Sequence, residues 1–353
     1  MTDSYDQKIQ QAISHLVPVY THLELTYRCN QRCIHCYATV NQSQQKELTT
    51  NEYKNILDQL ADLGTLFLAM TGGEIFMRKD FFDIAKYAKK KSFALRLFTN
   101  GTSITKSIVK KIIELNPLRI EISLYGMSSK IHDEITKISG SFVRTMDGIF
   151  LLSKMGQNLT IKVPVMQQNI SEVHLVKTFA EENGMEFISN PTIVPRGDGS
   201  IDNLQYRLTN EQLNYYFSNI NSDWYFKQPA LNRTLCGAGK GIMAISPYGE
   251  VFPCVQIPIQ VGDLRKQSLR EIWFHSLELE KIRSLTLSNI KGCSNCADIK
   301  YCNPCPGLAL TEDGDIYGPS SEACRQAKIR KIVLTNKKDW QPNIKIPESE
   351  CLL

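Results

Sequence analysis

The chain has 353 residues, of which 42% are hydrophobic, and its formal net charge is +5. This length and composition predict one large hydrophobic core and a smaller second domain. Residues 1–20 lack the basic region and apolar stretch of an export signal, and no apolar run approaches the roughly 18 residues of a membrane span. The mild charge does not indicate a nucleic-acid partner. We therefore expect a cytoplasmic protein that binds neither membrane nor nucleic acid.

Short apolar runs alternate with helical patterns along residues 20–190. The first helical pattern spans residues 48–63, where Thr49 and Glu52 are spaced as a capping box. The apolar runs predict six strands, at residues 22–27, 66–70, 95–98, 119–124, 160–165 and 186–189. Strands that alternate with helices in this way form a parallel sheet with right-handed crossovers. We therefore predict an α/β fold.

Three cysteines follow the first predicted strand within eight residues. They are Cys29, Cys33 and Cys36, and Tyr37 comes directly after them. Thiolates at this density suit zinc or an iron–sulfur cluster, and structural zinc takes four ligands, so a zinc site here would need His35. A cluster held by only three cysteines keeps one iron free to bind a substrate or cofactor. Eleven cysteines in a chain without an export signal favour metal ligation over disulfides.

The spacing Cys-x3-Cys-x2-Cys followed by an aromatic residue resembles the signature of the radical S-adenosylmethionine (SAM) superfamily. In that family the three cysteines hold a 4Fe–4S cluster, and the amino and carboxylate groups of SAM chelate its free iron. An electron from the cluster cleaves SAM to methionine and a 5′-deoxyadenosyl radical, which takes a hydrogen atom from the substrate. The resemblance implies that Cys29, Cys33 and Cys36 are the catalytic cluster ligands. It also implies a six-unit partial (β/α) TIM-like barrel with functional loops at the carboxyl ends of the strands.

A Gly-Gly-Glu sequence follows the second predicted strand at Gly72, Gly73 and Glu74. The two glycines allow the backbone to approach a ligand closely, and the carboxylate can accept a hydrogen bond from an ammonium group. A Gly-Gly pair is also an ordinary turn signal. The sequence resembles the family's Gly-Gly-Glu motif, which implies a contact with the methionyl amino group of SAM.

The resemblance assigns four further residues to SAM binding. Asn100 ends the third strand in a region that lines the SAM site in the family, and Tyr37 is expected near the adenine. Ser123 matches a position where relatives often place a serine near the ribose. Lys137 lies where relatives often have an arginine that pairs with the SAM carboxylate, and lysine keeps the charge but loses the bidentate fork. For Ser123 and Lys137, ordinary core and surface roles stay open as alternatives.

Residues 191–207 break the pattern with Pro, Gly, Asp and Asn, which predicts a loop at the open end of the barrel or the start of a linker. Within this stretch Arg196 could hold an anionic group of the substrate or of SAM. We expect a solvated arginine instead, because most surface arginines have no ligand. A helical stretch follows at residues 210–219.

A second group of seven cysteines lies towards the C-terminus. They are Cys236, Cys254, Cys293, Cys296, Cys302, Cys305 and Cys324. Two Cys-x2-Cys pairs alone are also typical of a zinc ribbon. Seven thiols fit a four-ligand site plus a three-ligand site better than two closed zinc sites. The arrangement resembles the SPASM domain, which carries auxiliary iron–sulfur clusters in radical SAM enzymes that modify peptides.

The SPASM resemblance implies two auxiliary clusters. One is expected to have the four ligands Cys293, Cys296, Cys302 and Cys324. The other is expected to have the three ligands Cys236, Cys254 and Cys305. The last pair has two residues between its cysteines, whereas the SPASM pattern has three. Ile242 stands where some relatives have an eighth cysteine, so the three-cysteine cluster is expected to have an open iron.

These patterns divide the chain into five parts. They are an N-terminal extension at 1–19, a radical SAM partial barrel at 20–207, a linker helix region at 208–235, a SPASM domain at 236–330 and a C-terminal tail at 331–353. Cys351 in the tail is expected to be an idle exposed thiol. The first strand is predicted close to the start of the sequence, so leader-peptide recognition is expected to use a separate protein or the barrel itself.

The resemblance implies an oxidoreductase that cleaves SAM reductively and modifies a ribosomally made precursor peptide, with a flavodoxin- or ferredoxin-type reductant. The product is expected to be a thioether or carbon cross-link, or an epimerised residue. Epimerisation needs a hydrogen donor outside the clusters, and Cys351 is the only candidate, so cross-linking is slightly favoured. One alternative is a radical SAM/SPASM enzyme of tetrapyrrole or quinone cofactor synthesis. The other is a non-catalytic zinc or iron–sulfur binding module.

Overall fold

The computed structural model describes residues 2–38, 45–221 and 234–336 of the chain. Its strands are β1 (Tyr20–Glu24), β2 (Phe67–Thr71), β3 (Ala94–Thr99), β4 (Arg119–Ser123), β5 (Leu159–Pro164), β6 (Glu186–Asn190), β7 (Ile242–Ile245), β8 (Glu250–Phe252) and β9 (Gly262–Asp263). Its α-helices are α1 (Thr2–Ser14), α2 (Thr50–Asp62), α3 (Phe81–Lys90), α4 (Lys106–Leu115), α5 (Ser129–Thr136), α6 (Ser141–Lys154), α7 (Val173–Glu182), α8 (Asn210–Tyr215), α9 (Leu269–His275), α10 (Leu277–Arg283), α11 (Pro306–Asp313) and α12 (Ser321–Asn336).

Within the described residues, the strands form one sheet in the order β6-β5-β4-β3-β2-β1-β7-β8-β9. Strands β1 to β6 run parallel, and helices connect them. The predicted six-unit partial (β/α) barrel is therefore confirmed, and each predicted strand overlaps an observed one. Strand β7 extends the parallel sheet beside β1, and β8 and β9 follow as antiparallel strands.

Strand β1 ends at Glu24, although the apolar pattern predicts a strand up to residue 27. The chain leaves the sheet early because the next backbone and side-chain groups find other partners. The Thr26 hydroxyl donates to the Glu47 carboxylate, and the Thr26 carbonyl accepts from the Gly73 N–H at 2.7 Å. The loop after β1 therefore crosses the turn that follows β2.

The two faces of the parallel strands differ in exposure. The face beneath the helices is apolar and covered, as shown by Leu23, Leu97, Ile120, Ile122 and Ile161. On the opposite face, which we call the inner face, several side chains keep partial exposure, as shown by His22, Arg96, Phe98, Ser123 and Lys162. Burial of apolar area contributes about 25 cal/mol per Å² and holds the helices on the first face. The inner face is the side that a ligand can reach.

The capping box predicted at the start of α2 is confirmed. The Thr49 side chain accepts from the Glu52 N–H, and the Glu52 carboxylate accepts from the Thr49 N–H at 2.7 Å. Such a box satisfies two donors that the first helical turn leaves unpaired. Helix α1, by contrast, lies in residues for which the sequence pattern predicts only an extension.

The C-terminal region joins the barrel and also builds a core of its own. Strands β7 to β9 complete the sheet, and α12 packs against α8. A separate small apolar cluster includes Cys293 and is packed against by Cys236 and Cys254. The boundary region predicted at 208–235 stays a prediction. Among the residues that the structure describes, no helix combines the length and apolar composition needed to cross a bilayer.

His132 in α5 makes the stability of the barrel dependent on pH. Burial lowers the pKa of this imidazole from 6.5 to about 4, and its Nδ1 accepts from the Tyr125 N–H at 3.3 Å. Between pH 7 and pH 5 this histidine becomes protonated in the unfolded chain but stays neutral in the folded chain. Acidification over this range therefore destabilises the fold by about 2 kcal/mol through this group. A His132→Asn variant keeps an acceptor but does not titrate. Urea unfolding at both pH values should show a smaller loss of stability in the variant, and equal losses would contradict the assignment.

Candidate active site

The cysteine loop, residues 29–37, follows β1 at the carboxyl edge of the sheet. Its three half-buried thiols are those of Cys29, Cys33 and Cys36. Burial raises the pKa of all three thiols, that of Cys36 to about 11, and both neighbouring thiols add to the rise at Cys33. Thiols in this state bind as thiolates only when a metal supplies positive charge. The donor set therefore suits a metal cluster and gives no sign of a free nucleophile.

The end of α5 anchors the cysteine loop. The Arg32 N–H donates to the Thr136 carbonyl at 2.9 Å. The Ile34 N–H donates to the Ile135 carbonyl at 3.0 Å. The last carbonyls of a helix lack partners within it, so these contacts satisfy both elements. Lys137 is the next residue after Thr136, and it has a left-handed backbone (φ 58°) and an exposed side chain. The Thr136 contact places Lys137 next to a residue that binds the cysteine loop.

Arg196 is a structural partner of the cysteine loop, so the expectation of a solvated arginine is wrong. Its guanidinium donates to the Cys36 carbonyl at 2.8 Å and to the Ile34 carbonyl at 3.2 Å. The same group forms an ion pair with Asp202 at 2.6 Å. Arg196 thereby joins the loop after β6 to the loop after β1, 160 residues earlier.

The Gly72-Gly73 turn lies directly beneath the cysteine loop. Gly72 has φ +130°, which side chains of L-residues rarely adopt. A Cβ added at Gly73 would collide with the Arg28 carbonyl oxygen and lie 3.1 Å from the Cys29 Cβ. The glycine pair therefore permits a close approach between two segments of the chain, in addition to any approach to SAM.

Replacing Gly73 by alanine is expected to displace the cysteine loop and to destabilise the protein by about 1–3 kcal/mol through overpacking. Iron retained after reconstitution and desalting should fall. Gly197→Ala is the matched control, since its added Cβ meets the Tyr37 carbonyl at an ordinary 3.6 Å. Equal iron retention in both variants would argue against a supporting role for the turn.

Glu74 and Asn100 tie the ends of β2 and β3 to the cysteine loop. The fully buried Glu74 carboxylate accepts from the Thr99 hydroxyl at 2.8 Å and from the Asn100 N–H at 2.7 Å. The Asn100 amide donates to the Asn30 side chain at 2.8 Å, and Thr102 completes this network. In the structure Glu74 therefore binds the chain itself, and its contact with the SAM amino group stays a prediction.

Tyr37 is fixed through its hydroxyl group. It donates to the Glu24 carboxylate at 2.9 Å, and Tyr27 donates to the same carboxylate at 2.6 Å. Burial raises the pKa of Glu24, and the two tyrosine hydrogen bonds oppose that rise. The contact of Tyr37 with adenine stays a prediction, while the structure shows what holds the residue beside the cysteines.

Ser123 is the last residue of β4 and lies on the inner face. It hydrogen-bonds with the hydroxyl of Tyr125, and that hydroxyl lies 3.6 Å from the Cys33 Sγ. Sequence reasoning did not identify Tyr125, although its position two residues after Ser123 at a strand end was a usable signal. Ser123 is thus connected to the cysteine loop, and its ribose contact stays a prediction.

Two polar atoms of the cysteine loop are buried without a hydrogen-bond partner among the described residues. They are Gln31 Nε2 and His35 Nδ1. Burial lowers the pKa of His35 to about 4, and its ring lies 5.0 Å from that of Tyr125. A buried polar atom without a partner calls for an explanation, and a ligand or cluster bound at the loop would supply one.

Across residues 2–38, 45–221 and 234–336, no three His, Cys, Asp or Glu side chains are arranged to hold a single metal ion.

The C-terminal thiols influence one another's pKa values in two sets. Cys236 and Cys305 act on Cys254, whose own burial is the largest cause of its raised pKa. In the second set, burial raises the pKa of Cys302 to about 12. The neighbouring thiols Cys293, Cys296 and Cys324 add to this rise. The Cys305 thiol also donates to the Gln256 side chain at 3.3 Å, a neighbour that the spacing of cysteines does not reveal. Cys351 lies outside the described residues.

Comparison with known proteins identifies the family. The profile of the Radical SAM superfamily matches residues 23–180, and that of the SPASM iron–sulfur cluster-binding domain matches residues 236–297. AdoMet-dependent heme synthase of Methanosarcina barkeri (strain Fusaro) is 30% identical over 83% of this chain and 92% of its own length. The antilisterial bacteriocin subtilosin biosynthesis protein AlbA of Bacillus subtilis (strain 168) is 28% identical over 82% of this chain and 67% of its own length. Streptococcus suis SuiB bound to precursor peptide SuiA has a TM-score of 0.69 and 16% identity, over 91% of this chain and 80% of that one.

The chain belongs to the radical SAM superfamily and carries a SPASM domain. It is a radical SAM/SPASM enzyme, and this membership favours catalysis over a non-catalytic binding module. The cysteine loop lies inside the first match. Four of the C-terminal cysteines lie inside the second match, namely Cys236, Cys254, Cys293 and Cys296.

Proposed function

We propose that this enzyme uses a deoxyadenosyl radical to modify a ribosomally made precursor peptide, by a thioether or carbon cross-link or by epimerisation. The observation that carries the proposal is the partly exposed inner face beside the cysteine loop, in a fold that holds a precursor peptide in SuiB. The likeness to AlbA, a protein of bacteriocin biosynthesis, supports the same class of product.

The residues of the chain have separate tasks in this proposal. Cys29, Cys33 and Cys36 hold a 4Fe–4S cluster, which supplies the electron that cleaves SAM. The Gly72-Gly73 turn, Glu74 and Lys137 position the methionyl end of SAM, and Tyr37, Asn100 and Ser123 line the rest of the SAM molecule. Tyr37 and Asn100 are already held in place by Glu24 and Asn30, which lowers the entropic cost of binding.

We assign two auxiliary clusters to the SPASM domain. The first has the ligands Cys293, Cys296, Cys302 and Cys324. The second has the ligands Cys236, Cys254 and Cys305, and an open iron. The two electrostatic sets described above support this division, since thiols that share a cluster must lie near one another. A flavodoxin- or ferredoxin-type donor supplies electrons, and a separate protein or the barrel itself recognises the leader peptide.

The test is coexpression with a short peptide encoded beside the gene, under anaerobic conditions in heavy water, followed by mass spectrometry of the peptide. Loss of two hydrogens identifies an oxidative cross-link, and fragmentation locates it. Gain of one deuterium alone identifies epimerisation and directs attention to Cys351. An unmodified peptide, together with SAM cleavage that depends on Cys33, would reject the peptide proposal.

A second candidate is an enzyme that acts on an iron porphyrin in heme synthesis. The heme synthase match favours it, because that relative is 30% identical and aligned over 92% of its length. Reconstituted enzyme incubated with SAM, a reductant and iron coproporphyrin would then form a new porphyrin product, detectable by chromatography. A peptide substrate predicts no such product.

A further inference from the structure

Three charged side chains form a cluster on the inner face of the barrel. We call it the inner-face cluster, and it consists of Arg96 in β3, Glu121 in β4 and Lys162 in β5. The Arg96 Nε lies 2.6 Å from one carboxylate oxygen of Glu121, and the Lys162 Nζ lies 3.2 Å from the other. One carboxylate thus serves two cations, which leaves an excess positive charge on this face.

The two cations of the cluster are accessible to solvent, whereas the carboxylate is not. The Glu121 side chain has no exposed surface, whereas Arg96 is 16% exposed and Lys162 is 25% exposed. Both cations lie over the Phe98 ring, whose centroid is 4.4 Å from the Lys162 Nζ and 5.5 Å from the Arg96 guanidinium carbon. The cations and the ring therefore form a surface with one charged part and one apolar part.

The neighbouring titratable groups are either neutral or bound to other partners. His22, whose ring lies 6.3 Å from that of Phe98, has a pKa lowered to about 4 by burial and by the two cations, so it is neutral. Glu24 is bound by two tyrosine hydroxyls. Glu186 pairs with Arg119 at the amino ends of their strands.

The inner-face cluster lies near the reacting edge of the sheet. Lys162 is opposite Ser123 in the β4–β5 register, and Ser123 is the last residue of β4. Ser123 is connected through Tyr125 to Cys33. A group bound at Lys162 would therefore lie on the inner face, beside the residues that connect to the cysteine loop.

We infer that Lys162, supported by Arg96, binds a carboxylate of the substrate, while Phe98 contacts the methylene groups beside it. The shared Glu121 carboxylate leaves one cation in excess, and a hydrogen bond between a cation and a carboxylate is stronger than a neutral one. A few polar groups usually set the specificity of a ligand site. The inference rests on the proposed function in taking this carboxylate to be the side chain of Asp or Glu in a peptide. A carboxylate of a small molecule offers the same chemistry.

The experiment measures carboxylate selection by reconstituted enzyme with SAM bound. One probe is a pair of capped hexapeptide libraries that carry Glu or Gln at a fixed central position, with retention measured by affinity selection and mass spectrometry. The other is mesoporphyrin and its dimethyl ester, followed by porphyrin fluorescence. The variants are Lys162→Met, Lys162→Arg and Lys177→Met, the last on α7 outside the barrel. Iron content and melting temperature identify variants that do not fold.

The proposal expects wild-type and Lys177→Met enzyme to prefer Glu over Gln by about tenfold, as for one charged hydrogen bond. Lys162→Met should lose this preference and Lys162→Arg should retain most of it. A preference for the porphyrin acid alone that depends on Lys162 would keep the carboxylate site but reject the peptide proposal. Peptide retention without any preference that depends on Lys162 would overturn the carboxylate site and leave the peptide proposal standing.

Discussion

Cys33→Ala enzyme is expected to lose SAM cleavage completely and to hold about four fewer iron atoms per chain, the content of one cubane cluster. Cys33 is the middle thiol of the cysteine loop, and its Sγ lies beside the Tyr125 hydroxyl within reach of the other two thiols. Loss of one of three ligands leaves two irons without protein ligation. The measurements are iron content after anaerobic reconstitution and 5′-deoxyadenosine formed with dithionite as reductant.

The control for this prediction is Cys351→Ser, which removes the cysteine that the sequence assigns to no cluster. It is expected to keep both its iron and its cleavage activity. Full SAM cleavage by Cys33→Ala would contradict the ligand assignment. If the wild-type protein is colourless and contains zinc, the result would support the alternative in which the cysteine loop and His35 bind zinc.

The Arg207→Met variant is expected to lose about 3–5 kcal/mol of stability, the usual effect of breaking a buried ion pair from one side. The guanidinium donates to both Glu312 oxygens, at 2.8 Å and 2.5 Å, with side-chain exposures of only 13% and 9%. It also binds the Ile193 carbonyl and lies 3.6 Å from Glu322. Removal leaves the Glu312 carboxylate buried without its cation. Urea unfolding followed by circular dichroism measures the loss.

Arg265→Met is the matched control for Arg207. It also removes an arginine that links the C-terminal region to the barrel, but its pair with Glu52 is exposed, at 35% and 37%. Exposed pairs contribute about 0–1 kcal/mol. Similar losses in the two variants would show that burial of the Arg207 pair does not decide its contribution.

The fold of the barrel was predictable because its signals are local. Strands covered by helices, such as β2 with Phe-Leu-Ala-Met at its start, are apolar for several residues in succession, and the start of α2 is encoded by Thr49 and Glu52 three residues apart. The pairing of β7 with β1 was not predictable, because no local pattern specifies a partner so distant in sequence. Helix α1 was missed because its apolar residues are few and most of its side chains are polar.

The candidate site was predictable to the extent that it consists of short motifs. The cysteine loop and the Gly72-Gly73 turn are each one continuous stretch of sequence. The structure confirms that the first follows β1 and the second follows β2. The expectation for Arg196 was wrong because its partners are backbone carbonyls of the cysteine loop. Every residue has a backbone carbonyl, so a sequence pattern does not show which of them an arginine will contact. The Asn30–Asn100 hydrogen bond and the approach of Tyr125 to Cys33 likewise depend on the folded path of the chain.

The parallel pairing of β7 with β1 has a consequence for synthesis of the protein. Tyr20 is opposite Ile242, so the two strands are more than 200 residues apart. As the chain leaves the ribosome, β1 can pair with β2 early, but its other backbone edge stays bare until β7 emerges. Bare strand edges invite pairing with other chains. The nascent barrel therefore exposes this edge until β7 has been synthesised, and the C-terminal region closes that edge when it folds.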